Sequence, residues 1–521
     1  MPVTVRAAKM QQLQAWPATR TAGVSLHMTS LPGRYGIGEI GAQALRFIDT
    51  MRKMQLGVWQ FLPTGPTAYG DSPYQPLSTF AGNELLIDVA GLLELGLLSS
   101  DDVRTLEDLP EKAVDYGALI PHKSALLNIA ASRFATTVSS SLKAAYDDFL
   151  ELNNARWLHD YALFRILKTV HGERPWPEWE SHFVHRDAAE LRKFESAAGK
   201  QIEAIKVIQF LFQYQWRSLR DYANGNNVRL FGDMPIYIAL DSADAWANRE
   251  ILQLNEDGRP AYVAGVPPDY FSEDGQLWGN PLYAWDKHAA NHFRWWVERL
   301  RAAADLTDIV RIDHFRGFEA YWSVPAQAAT ARVGEWLPGP GDTIFDALEK
   351  ALGPLPIVAE DLGVITPEVE ALRNRHSIPG MVVLQFDTAS EDFDLDEVPE
   401  NCVCYTGTHD NDTTVGWFNG SPDDIRSPQE IKATQEAVLE LTNGTPETIH
   451  TDLVKAAFAT SARLAMAPLQ DFLGLGSEAR INIPGTSRSN WRWRVTGDQL
   501  DPAFCEHVAS LVLESGRGLR N

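Results

Sequence analysis

Ile309-Val310-Arg311-Ile312-Asp313-His314-Phe315-Arg316-Gly317 reads as a short buried strand that delivers a carboxylate at its end. Val310 and Ile312 are β-branched and share one face, while Arg311 and Asp313 alternate onto the other, their Cα atoms about 7 Å apart at strand rise. A guanidinium this close holds the aspartate ionised, the state a carboxylate needs before it can attack a substrate. A structural ion pair closing a strand would have the same composition, so this stretch alone leaves both readings open.

Repetition downstream favours chemistry. Pro356-Ile357-Val358-Ala359-Glu360-Asp361-Leu362-Gly363 is again an apolar run that stops on a carboxylate and reaches glycine. Cys402-Val403-Cys404-Tyr405-Thr406-Gly407-Thr408-His409-Asp410-Asn411-Asp412 repeats the pattern. Several short strands that each end in an acid are expected of a barrel or open α/β sheet whose carboxyl ends converge on one pocket. Two carboxyl groups flanking one bond, with a third nearby, are what glycosidic cleavage requires. A metal site is the competing use of the same acids.

Working outward, Ala22 to His27 reads as a first strand, and Gly41 to Met54 as an amphipathic helix. Val58 to Pro63 is a second strand, running into the loop Tyr69-Gly70-Asp71-Ser72-Pro73-Tyr74-Gln75. That loop is either a ligand-cupping segment or a surface turn. From Leu85 to Asn224 the pattern changes to long charged helices, including Ala144 to Thr169 and Asp187 to Tyr222. Trp176 and Trp179, between prolines, are expected to pack rather than bind. Val228 to Pro235 is the third strand, with Asp233 placed to support the site from behind. Gly265 to Pro281 has no regular period and reads as an aromatic, acid-bearing loop held over a cleft. The run His288 to Ala304 is amphipathic, and Thr366 to Asn374 opens on Thr-Pro as a capped helix does. Met381 to Phe386 is the sixth strand, Thr448 to Met466 is helical, and Ala465 to Phe472 holds the eighth strand.

The bulk composition excludes some functions. The 521 residues carry a formal charge of -23, which opposes nucleic acid, phosphorylated polymers and anionic membrane and suits a neutral substrate. The 3 cysteines, Cys402, Cys404 and Cys505, are too few and odd in number for a disulfide framework, which points to a reducing compartment. The first twenty residues contain no apolar signal core and no stretch reaches membrane-spanning length, so a cytoplasmic protein is expected. The 16 tryptophans offer flat faces suited to sugar rings, although most are expected in the core.

Taken together, VRIDHFRG, IVAEDLG, YTGTHDNDT, YGDSPYQ, GVPPDYFSEDGQLWGNP and LGSEARINIPG resemble the motifs of amylomaltases, also called disproportionating enzymes, in the family's order from Gly23 to Trp493. These are 4-α-glucanotransferases. The resemblance implies a (β/α)8 TIM barrel with inserted, mainly helical and loop-rich subdomains, acting on α-1,4-glucans such as starch, glycogen and maltooligosaccharides. It implies a retaining double displacement and no metal or cofactor. The expected layout is a barrel over 20–521, a helical insertion at 85–225 after strand 2, a cleft-covering loop insertion at 239–285 after strand 3, and an N-terminal extension at 1–19.

Carried over by motif, Asp313 matches the nucleophile, Glu360 the general acid/base, and Asp410 the third carboxylate that holds sugar hydroxyls and strains the ring. Arg311 and His409 match its hydrogen-bond donors. Ser72 and Tyr74 match the donor-side sugar loop, Asp269 the cleft-covering loop with Tyr270 and Phe271 beside it, and Phe386 a residue at the sixth strand's end. Asn482 resembles a cleft-lining stretch without an assigned role. One departure stands out. Many relatives continue the sixth strand with more aromatic residues and place His-Asn-Tyr before the seventh, whereas here Gln385-Phe386 runs into Asp387-Thr388-Ala389. Three rivals remain: an α-glucan hydrolase using the same carboxylates, a catalytically silent glucan-binding barrel, and a metal-dependent phosphotransferase built on His409 to Asp412. Oligomeric state carries no signature in the sequence.

Overall fold

The computed structural model describes residues 16–268, 272–388, 390, 393–422, 424–486 and 489–519. Among them the strands, in chain order, are β1 (Thr21–Ser25), β2 (Val58–Gln60), β3 (Arg229–Pro235), β4 (Tyr262–Val266), β5 (Gln276–Pro281), β6 (Ile309–Asp313), β7 (Ala320–Pro325), β8 (Glu335–Pro338), β9 (Ile357–Ala359), β10 (Gly380–Val383), β11 (Cys402–Tyr405) and β12 (Leu464–Pro468). Eight of them form a parallel sheet in the order β10-β11-β12-β1-β2-β3-β6-β9. Ala359 N donates to Pro379 O at 2.8 Å, bringing β9 back to the start of β10 and nearly closing the ring. This is the expected (β/α)8 barrel.

Strand alternation builds both its core and its mouth. Inward positions Val58, Phe231, Ile309, Val358, Val383, Val403, Leu464 and Met466 fill the barrel. Outward neighbours Val310, Ile312, Ile357 and Ala359 pack into a second cluster with Trp296, Phe315 and Phe345. Two residues beyond Phe231 comes Asp233, and beyond Ile309 come Arg311 and Asp313, so the same inward face turns polar at the carboxyl ends. Gly23 holds an inward position where no side chain fits, since a Cβ there would lie 2.3 Å from Met466 Sδ and 2.7 Å from Val58 O.

Between β2 and β3 lie the helices Tyr116–Thr137, Ser140–Asn153, His159–Val170 and Ala188–Gly225. The single helix expected over Ala144 to Thr169 is divided by a π turn at Asn154–Leu158. Trp176 and Trp179 are buried, and Trp176 Nε1 donates to Leu240 O at 2.6 Å, so both serve packing. Among the described residues no helix is long and apolar enough to cross a membrane.

The structure corrects the irregular-loop reading of Gly265 to Pro281. The 239–285 segment holds β4 and β5, which join β7 and β8 in an antiparallel sheet ordered β5-β4-β7-β8. β4 and β5 pair with each other, and β4's other partner arrives from Ala320–Pro325, beyond the Asp313 strand, so local periodicity could not reveal the sheet. Other boundaries also move, among them the eighth strand, which ends at Pro468 where Leu469–Phe472 turns helical. The sixth strand ends at Val383, and Leu384–Asp387 turns helical as Asp387 Oδ2 accepts from Val383 N at 2.9 Å. The helix after Thr448 stops at Ala459, where Arg517 Nη2 and Nη1 bond Thr460 O and Ala462 O, each at 2.8 Å, and free the chain to enter β12. His288 to Ala304 breaks into Trp285–Ala290 and Arg294–Leu306, with Phe293 left-handed at φ 54° between them.

Candidate active site

β3, β6 and β9 lie side by side, with Asp233 opposite Arg311 and Ile312 opposite Ala359. One step further, Asp313 and Glu360 become neighbours on adjacent strands, whose backbones run about 4.8 Å apart. Two bonds lock that step: Glu360 N to Ile312 O and Phe315 N to Glu360 O, each 3.0 Å. Arg311 is buried between two acids, giving Nη1 to Asp233 Oδ2 and Nη2 to Asp313 Oδ1, both at 2.7 Å. The guanidinium that pairs with Asp313 is thus itself anchored from the next strand.

Glu360 sits differently. His314 N donates to its Oε2 at 2.7 Å and Leu362 N to its Oε1 at 3.1 Å. Burial, and next the charge of Asp313, push its carboxyl up to about 7, against the pull of Arg311 and those two amides. His314 holds its backbone left-handed at φ 56°, ψ 49°, a conformation costing a non-glycine residue about 1–3 kcal/mol. Its ring is pushed down to about 4 by burial and packs edge-on against Trp278, with centroids 4.7 Å apart. Motif reading assigned His314 and Trp278 no role of their own; an Asp-His pair ending a strand was the signal available.

The loop after β11 brings in the third carboxylate. Asp410 Oδ1 accepts from Asn482 Nδ2 at 2.6 Å, and its Oδ2 lies 3.4 Å from His409 Nε2. Asn482, left without a role in the sequence, is therefore a direct partner of Asp410. Tyr74 ties this corner to the first one. Its hydroxyl donates to Asp233 Oδ2 at 2.7 Å and lies 3.4 Å from His409 Nδ1, with the two rings stacked 5.0 Å apart. Ser72 Oγ accepts from Tyr74 N at 3.2 Å, shaping the loop that carries the tyrosine. A pocket of ≈ 680 Å³ opens beside Arg311 and His409, lined also by His27, Gln60 and Tyr405.

Not every candidate joins this network. Phe386 lies on the helical turn Leu384–Asp387 and packs half-buried against the side chains that fill the barrel. Asp269, Tyr270 and Phe271 lie outside the described residues. Two of the side-chain oxygens named in the metal reading accept hydrogen bonds within the protein: Asn411 Oδ1 from Thr408 N and Oγ1 at 2.8 Å each, and Asp412 Oδ2 from Ser477 Oγ at 2.7 Å. Among the described residues no group of three His, Cys, Asp or Glu side chains is arranged to hold a metal ion.

The family described as 4-alpha-glucanotransferase matches residues 26–500. The chain belongs to this family. Among 4-alpha-glucanotransferases, that of Synechocystis is 44% identical over 504 residues, covering 96% of this chain and 98% of the relative. That of Thermus thermophilus is 45% identical over 499 residues, covering 94% and 97%. An amylomaltase from Streptococcus agalactiae, solved in complex with acarbose, superimposes with a TM-score of 0.90 at 34% identity, covering 96% of this chain and all 100% of its own. The chain is accordingly an enzyme of the 4-alpha-glucanotransferase class, as its motifs implied, on the barrel that class uses.

Proposed function

We propose that the chain transfers α-1,4-glucan segments from a donor maltooligosaccharide or starch chain to the 4-hydroxyl of an acceptor glucan or glucose, by a retaining double displacement. The observation that carries this reading is the pair of unlike carboxyls on neighbouring strand ends: Asp313 tied to Arg311, and Glu360 raised to about 7. Pairs of acids with opposed environments are the signature of nucleophile and general acid.

Arg311 takes Oδ1 of Asp313, and Oδ2 is the oxygen assigned to attack the anomeric carbon. As that bond forms, the glycosidic bond breaks, its electrons go to the departing 4-oxygen, and that oxygen takes the proton of Glu360. A glycosyl ester of Asp313 and a freed chain result. Glu360, now a carboxylate held in place by His314 N and Leu362 N, removes the proton of an incoming 4-hydroxyl. The new oxygen attacks the same carbon, the ester breaks, and the second inversion restores the α-configuration. Asp410, braced by Asn482 and His409, is assigned to sugar hydroxyls that tighten as the ring flattens. Ser72, Tyr74, Asp269, Tyr270, Phe271 and Phe386 are assigned to glucan binding on motif grounds, and acarbose in the Streptococcus agalactiae relative supports a glucan-like ligand. The 85–225 helices and the 239–285 segment act as insertions flanking the cleft. The buried free thiols of Cys402, Cys404 and Cys505 support a reducing compartment such as the cytoplasm.

Maltotriose distinguishes this reading from hydrolysis by the same acids. Transfer yields a ladder of longer and shorter products at constant reducing ends, whereas hydrolysis raises reducing ends without longer products.

A further inference from the structure

The loop that carries His409 and Asp410 begins where β11 ends and finishes at the helix Thr414–Asn419. Both ends meet one buried side chain. Thr406 Oγ1 donates to Asp471 Oδ2 at 2.6 Å, and Thr414 N donates to Asp471 Oδ1 at 2.7 Å. Asp471 lies on the helical turn Leu469–Phe472 directly after β12, with 1% of its surface exposed. Its partners are hydrogen-bond donors and not a cation, and burial pushes its carboxyl up. A buried carboxylate without a counter-charge is costly to keep. Its two oxygens, a fixed short span apart, set the distance between the two feet of the loop.

The rest of the loop is braced from the same side. Arg480 Nη2 donates to Asp410 O at 2.8 Å, Ser477 Oγ to Asp412 Oδ2 at 2.7 Å, and Gln385 Nε2 to Asp412 O at 3.1 Å. Within it, Asn411 closes on Thr408. With its interior tied and its apex held through Arg480 and Asn482, the loop can place His409 and Asp410 in one position only if its feet are fixed. We propose that Asp471 is a positioning residue for glucan transfer, clamping Thr406 and Thr414 so that His409 and Asp410 are held ready for the sugar. The proposal rests on the reading that Asp410 acts on the substrate. Asp471 itself touches no substrate and moves no proton.

The test compares Asp471→Ala, Asp471→Asn, Thr406→Val and Asp410→Ala with the parent, using maltotriose transfer, each enzyme well below its own melting temperature. Asp471→Ala is expected to lower kcat by about 10- to 100-fold with KM within about 3-fold, the loss typical of a misplaced reacting group. Asp471→Asn should stay within about 3-fold of the parent, because an amide can accept from Thr414 N and donate to the Thr406 hydroxyl. Thr406→Val removes one foot of the clamp without changing shape and should cost about 3- to 10-fold in kcat, so it decides the matter if Asp471→Ala does not fold. A folded Asp471→Ala enzyme with lower melting temperature and full kcat overturns the proposal, as do equal losses from Ala and Asn. An unimpaired Asp410→Ala enzyme overturns the underlying reading, whereas an impaired one beside a full-speed Asp471→Ala overturns the clamp alone.

Discussion

Glu360 and Glu39 are both pushed up to about 7, with burial the largest cause in each, yet they serve different ends of the molecule. Glu39 lies in the seam between the segment after β1 and the helix Tyr116–Thr137, paired with Lys123, whose side chain has 0% exposure. Its charge is answered, and its partner has nowhere else to go. Glu360 has two backbone amides and, as its nearest charged neighbours, the carboxylate of Asp313 and Arg311. A raised pKa alone therefore does not mark chemistry; the identity of the neighbours does. One acid is held in a structural pair, and the other is the proposed general acid.

Removing Asp313, the proposed nucleophile, should have the largest effect. Asp313→Asn is expected to lower maltotriose transfer by about 10⁴-fold or more while leaving the melting temperature near the parent's. Retention of even a tenth of the activity would break the assignment.

Glu360→Gln should cost about 10²- to 10⁴-fold in transfer. It should also stabilise the fold at pH 8 more than at pH 5. The folded carboxyl titrates at about 7 against 4.5 when unperturbed, so between those values the folded state holds the extra proton. Stability is then lost as pH rises through that window, and the amide removes the loss. In the parent enzyme kcat/KM should fall above pH about 7 as Glu360 deprotonates. Glu39→Gln should leave that limb where it is, and a shifted limb would mean that the seam and the mouth are coupled.

Lys123→Met strands Glu39 without its cation and should destabilise the protein by about 3–5 kcal/mol in denaturant titration, with kcat of the folded enzyme unchanged. A change in kcat without a change in stability would reverse the contrast between the two regions. The smallest effect is expected from Tyr74→Phe, which removes one hydrogen bond to Asp233 and should cost about 1.5–3 kcal/mol of folding stability in denaturant titration.

The positions of Asp313 and Glu360 were legible because strand period and strand end are local properties, whereas Asp410, five residues beyond β11, was legible only through its motif. Alternation puts Arg311 and Asp313 on one face of Ile309–Asp313 whatever the rest of the chain does, and the same holds for Glu360 after Ile357–Ala359. The second sheet was not legible, since β4 takes its second partner from the distant β7, and β4 and β5 carry glycine and proline where a periodic signal would stand. The end of β10 was misread for a similar reason, as Leu384 and Gln385 are buried whether the chain continues extended or turns helical.

By itself the sequence determined the barrel, the family and the acids at its strand ends, because short-range periodicity and motif order encode them. Tertiary structure alone decided how those acids differ. Arg311 is anchored by Asp233 from the neighbouring strand, Tyr74 reaches Asp233 across 159 positions of chain, and Asn482 reaches Asp410 across 72. Burial and charge at Glu360 likewise depend on which strands lie side by side. Electrostatics acts through space, and only the assembled barrel sets those distances.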